Sequence, residues 1–182
     1  MNERRSTPKP RLFLGQNKQM STVVTNQGHQ KKSVPFVKCG KVFNPVLPLK
    51  LTKKGTPVIL TQVTVNTERI TEPCILINFS CFVTSILRQQ NFVSLIFRLV
   101  KSSSDDNKQE VLRTWPFKRE LVTDTNIKEP VVFNFCEWLA TDNGGTFTYT
   151  IELVSVDLSK QTSYNITQKS MTAQVFCGTG KF

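Results

Sequence analysis

The sequence predicts an all-β protein: a jelly-roll-like antiparallel β-sandwich of about eight strands, preceded by an extended N-terminal arm. Three observations predict it. Apolar residues make up 38% of the 182-residue chain, with 13 Phe and many Val, Ile and Thr, and β-branched and aromatic side chains suit a pleated, half-buried surface. Ala and Glu are sparse and no long stretch repeats apolar residues at intervals of three and four, so the helical period is missing. Runs of period-two alternation recur with turn residues between them, the layout of a two-sheet sandwich and not of alternating strands and helices.

A chain of this length holds one domain with a real core plus an appendage, and is too short for two ordinary domains. The division falls into an arm, residues 1–36, and a β-sandwich domain, residues 37–182. The arm is punctuated by Pro8, Pro10, Gly15, Gly28 and Pro35 and is short of large apolar residues. Residues 1–41 carry nine Lys and Arg against the single acid Glu3, a charge of +8 out of the formal +11. Two short patches in the arm look extended, Arg11, Leu12, Phe13 and Leu14, then Thr22, Val23, Val24 and Thr25. Neither can make a core alone, so each needs a partner.

The domain reads as strands in succession. Residues 34–39 alternate imperfectly and residues 46–51 follow Asn44-Pro45; both read as short or edge strands, since Pro cannot donate to a central ladder. Lys53-Lys54-Gly55 turns the chain into residues 57–67, the clearest strand start. Residues 73–84 place Ile75, Ile77, Phe79, Cys81 and Val83 on one face, and Cys74 on the other, so Cys74 and Cys81 cannot bridge within the strand and Cys81 is a core thiol. Residues 92–101 point Val93, Leu95, Phe97 and Leu99 inward. After the polar loop 102–107, residues 110–117 return with Val111, Trp115 and Phe117 on one side, completing a hairpin. Val131, Phe133 and Phe135 alternate with Val132, Asn134, Cys136 and Trp138. The turn residues Asp142-Asn143-Gly144-Gly145 lead to Phe147, Tyr149, Ile151 and Leu153, and a final strand of about 164–177 carries Met171, Ala173, Val175 and Cys177 on one face.

Chemistry-bearing constellations are few. The single imidazole, His29, lies in the arm, which argues against Ser-His-Asp or Cys-His catalysis. The five cysteines form no Cys-x-x-Cys pair, so a zinc site is not indicated. Asp105-Asp106 sits in the serine-rich loop and reads as a solvated turn; Gly144-Gly145 lacks the Lys and helix of a phosphate loop. The glycosylation triplets at Asn78 and Asn165 both fall within predicted strands. No run approaches a membrane span, and the charged N-terminus is followed by Ser, Thr and Pro, not by an apolar segment, so no Sec signal peptide is expected. The expectation is a protein that is not an enzyme, without cofactor, metal or small-molecule substrate.

The arm's charge alone suggests nucleic acid, since Lys and Arg neutralise phosphates. Its bases are dispersed, however, with no run longer than two, and it holds only Phe13 and Phe36 and neither Trp nor Tyr for stacking. Strand addition to an exposed sheet edge would instead satisfy the arm's backbone groups and cover that edge together. Repeated head to tail without closure, such a contact makes a filament, so the expected partner is another copy of the same chain.

Cys39-Gly40-Lys41, the strand Pro57-Val58-Ile59-Leu60-Thr61-Gln62-Val63-Thr64-Val65-Asn66-Thr67, Thr114-Trp115 and Phe133-Asn134-Phe135-Cys136 resemble a family of small, uncharacterised clostridial and bacillal proteins. The resemblance spans about residues 37–177. In layout the chain is also similar to endospore appendage subunits, which carry an N-terminal connector ahead of a jelly roll. That resemblance implies a structural subunit of a pilus-like fibre on the spore surface, assembled by inserting the connector into neighbouring subunits. Val42 stands where the first family has glycine, and the arm before Cys39 lacks the cysteines common in appendage connectors. Cys39 and Cys177 are left as candidates for an inter-subunit disulfide. The alternative expectation is a viral capsid jelly roll whose basic arm binds RNA.

Overall fold

The computed structural model describes residues 35–88, 91–104, 108–139 and 144–177. Among the described residues nine strands form two antiparallel sheets: β1 (Phe36–Cys39), β2 (Lys41–Val42), β3 (Val58–Asn66), β4 (Pro73–Leu87), β5 (Asn91–Ser103), β6 (Gln109–Leu121), β7 (Thr125–Trp138), β8 (Thr146–Leu158) and β9 (Ser163–Cys177). The first sheet runs β1-β9-β4-β7 and the second β2-β3-β8-β5-β6. Only β2 with β3, and β5 with β6, are neighbours in both sequence and sheet; every other connection passes between the sheets, and the first strand lies beside the last. That is the wiring of a jelly roll, and the predicted fold class stands.

The core follows from the period-two pattern. Ile75, Ile77, Phe79, Cys81 and Val83 of β4 are buried, as are Val93, Leu95, Phe97 and Leu99 of β5 and Tyr149, Ile151 and Leu153 of β8. Phe79, Phe97, Phe133 and Trp115, from four strands of both sheets, meet around Phe133, with centroids 5.8, 5.3 and 4.6 Å from its ring. Aromatic pairs at such spacings add to the area they bury.

Two expectations are corrected. Residues 46–51 form no strand: Pro45 and Pro48 cannot donate to a ladder, Val46 and Leu49 are exposed, and the segment keeps only the isolated bridge of Leu51 with Val156. Val111 does not share the inward side with Trp115 and Phe117. A bulge between the pairs Leu99 with Arg113 and Val100 with Val111 leaves Leu112 as the extra residue, which turns Val111 outward to 54% exposure while Leu112 packs on the core. One boundary also shifts: the polar loop expected over 102–107 begins later, since β5 continues through Ser103.

β1 and β2 are one extended stretch that changes sheets at Gly40. The Gly40 N–H donates to Met171 O at 2.8 Å. A Cβ there would lie 2.9 Å from Gln62 O and 3.1 Å from Met171 Cβ. The approach of two backbones from different sheets therefore demands glycine, and this explains the Gly of the Cys39-Gly40-Lys41 segment.

Candidate docking edge

The sheet switch at Gly40 leaves each sheet half-covered on the same flank. β1 pairs with β9 only over 172–175, so among the described residues, 163–170 of β9 have a ladder partner on one side alone, β4. In the second sheet β2 pairs with Thr61 and Gln62, and residues 63–66 of β3 pair only with β8.

Beside the open half of β9 lies a groove of about 410 Å³, between Val42, Asn44, Pro45 and Leu47 on one wall and residues 165–169 on the other. The non-strand path of residues 43–51, which the prolines enforce, makes that wall. It is pinned at both ends without strand pairing: Tyr164 Oη donates to Pro48 O at 2.9 Å and Lys169 Nζ to Asn44 Oδ1 at 3.1 Å. The floor of β9 is irregular, with a bulge opposite 80–82 and Gln168 at φ 50°. Its polar groups are partly met from within, as Ile166 N–H donates to Asn165 Oδ1 (2.8 Å) and Ile166 O accepts from Lys169 Nζ (3.2 Å). Burial of its ring raises the Tyr164 phenol above its ordinary value.

The opposite flank is built differently. The outer strands β6 and β7 each carry a proline, Pro116 and Pro130, which blunts an edge against further pairing. Arg119 of β6 grips Glu129 of β7 with Nε at 2.9 and 2.7 Å from the two carboxylate oxygens, and Trp115 stacks on Phe133 across the same gap. Residues 163–170 contain no proline. Among the described residues, the flank of β9 and β3 thus presents ladder-free backbone that no proline interrupts.

Of the residues predicted to act, Arg11, Leu12, Phe13, Leu14, Thr22, Val23, Val24 and Thr25 lie outside the described residues, as does His29. Cys39 is exposed on β1 opposite Thr172, and Cys177 closes β9 opposite Pro73. Five ladder positions separate them, roughly 16 Å, so they cannot pair within one chain. Two cysteines that the sequence reading did not pair are instead adjacent: Cys74 Sγ and Cys136 Sγ are 3.1 Å apart. Among the described residues no cluster of three or more His, Cys, Asp or Glu could hold a metal ion, and no helix is long and apolar enough to cross a membrane.

Residues 34–175 match a family described as DUF4489, a domain of unknown function. The chain belongs to that family. The matched span starts just ahead of β1 and ends within β9, so it takes in β1 to β8, most of β9 and the switch at Gly40. None of the curated proteins is similar to the chain. Among solved structures the chain is similar to one titled structure of infectious bursal disease virus Gx strain, with 12% identity and a TM-score of 0.38. The likeness covers 83% of this chain and 34% of that one, so the DUF4489 chain spans about a third of its length.

Proposed function

We propose that this DUF4489 protein is a structural subunit that polymerises into an extracellular, pilus-like fibre on the spore surface, the arm of one copy adding as a strand to the open flank of the next. The observation that carries this reading is the half-covered flank: residues 163–170 of β9 beside a groove, and residues 63–66 of β3, each with a ladder partner on one side only among the described residues. An unpaired edge is a template for another chain unless it is blunted, and here the blunting prolines sit on the opposite flank. The arm supplies two short extended patches of four residues, dispersed charge for solubility, and no core of its own. Contact between unlike surfaces of successive copies does not close on itself and so grows a filament.

Electron microscopy and size-exclusion chromatography of the purified full chain test this. Filaments are expected, and removal of residues 1–34 is expected to leave monomers with an unchanged melting temperature. Leu12→Pro with Val23→Pro should do the same, because each removes a backbone donor and fixes φ in a would-be strand. Filaments that persist without the arm would refute the reading. Closed shells containing nucleic acid would establish the capsid alternative in its place.

A further inference from the structure

Cys74 and Cys136 occupy the outer face of the first sheet, on β4 and on its edge neighbour β7, one step apart diagonally across the ladder: Cys74 is opposite Trp138 and Cys136 opposite Leu76. Their sulfurs are 3.1 Å apart, so forming an S–S bond requires a closure of about 1 Å. Cys136 is exposed and Cys74 is buried, flanked in the ladder by Trp138 and Phe176. One thiol can therefore be reached by a soluble reagent, and the other can be reached through its neighbour.

We propose that Cys74 and Cys136 are a reversible oxidation site, converted to an intrachain disulfide by low-molecular-weight disulfides and serving as a staple for the edge strand β7. The Cys136 thiolate attacks one sulfur of the reagent disulfide, forming a mixed disulfide and releasing the first small thiol. Cys74 then attacks the Cys136 sulfur and releases the second; its proton passes to the departing thiolate. Two protein thiols are oxidised and one small disulfide is reduced to two thiols. Burial pushes the Cys74 thiol up to about 12, reinforced by its hydrogen bond to Cys136, so the outer thiol is the one that begins the exchange. Among the described residues β7 is hydrogen-bonded to β4 alone, and a covalent link near its Trp138 end fastens this long edge strand to its one ladder partner. The inference stands apart from arm docking and involves neither Cys39 nor Cys177.

The test is exposure of the full-length protein to excess oxidised glutathione, followed by alkylation and intact-mass measurement without reductant. Two of the five thiols should be lost together with two hydrogens, any glutathione adduct on the exposed Cys39 being counted apart, and peptide mapping should join Cys74 to Cys136. Linking residues 62 apart in the chain should raise the melting temperature by roughly 5–10 °C over the reduced protein. Cys74→Ser should stop at a stable glutathione adduct on Cys136, and Cys136→Ser should leave Cys74 unmodified. The proposal is overturned if wild type keeps five thiols, holds a lasting adduct at Cys136, forms its bond elsewhere, or melts no higher when oxidised.

Discussion

Ser85 is a single polar residue in the wrong company. It lies on β4 between the core residues Val83 and Leu87, is 1% exposed, and its Oγ meets no hydrogen-bond partner among the described residues. An unmet buried hydroxyl costs about 1–3 kcal/mol, so Ser85→Ala should stabilise the domain by about 1 kcal/mol in denaturant titrations. A loss of stability would mean that the hydroxyl is satisfied after all. Glu137 is the opposite case. This inward carboxylate of β7 accepts from Tyr149 Oη of β8 and from Lys101 Nζ of β5 at 3.1 Å, with both charged side chains less than a fifth exposed. It thereby ties three strands from two sheets. Glu137→Ala strands the ammonium group and the phenol, and should cost about 3 kcal/mol; an effect under 1 kcal/mol would show that water fills the gap.

At the scale of elements, the decisive piece is the extended stretch from Phe36 to Val42, broken only at Gly40. Gly40→Ala drives a methyl group to within 2.9 Å of Gln62 O, against backbone that cannot yield without moving β3, and should lower stability by about 1–3 kcal/mol. Calorimetry on the purified variant would read it, and a wild-type melting point would show that the two sheets slide apart freely there. The long strands were legible because period-two patterning is local: β4, β5 and β8 bury the faces their sequences mark. The bulge at Leu112 was not, since one inserted residue on β6 has no signature of its own and is fixed by its pairing with β5. Val46, Leu47, Leu49 and Leu51 give residues 46–51 the apolar content of an edge strand, but Pro45 and Pro48 do more than confine the segment to an edge: they leave it only the Leu51 bridge. The docking flank and the thiol pair depend on which distant strands become neighbours. Cys74 and Cys136 are 62 positions apart and meet only through the β4–β7 register. Their equal parity on outward faces was the one available clue.

The molecule as a whole is set up to fail in alkali. Burial pushes the thiols of Cys74 and Cys81 up to about 12 and raises the phenols of Tyr149 and Tyr164; the neighbouring Glu137 carboxylate adds to the shift of Tyr149. An unfolded chain releases the thiol protons near pH 9 and the phenol protons near pH 10. The folded state holds all four more tightly, so their contribution is whole below pH 9 and declines as pH rises from there. The melting temperature should therefore drop steadily between about pH 8.5 and pH 11. The chain's two tyrosines should show tyrosinate absorbance only as it unfolds, and absorbance that rises ahead of unfolding would contradict the burial argument.

The sheet switch at Gly40 also has a mechanical meaning. A pull on the N-terminal end enters the fold along the axis of β1, so the hydrogen bonds to β9 are loaded sideways and together, not peeled one after another. Past Gly40 the same tension runs into β2 and its bonds to β3, in the other sheet. One strand therefore spreads a single load over both layers of the sandwich, and the glycine where it changes layers is the point through which the share carried into the second layer must pass.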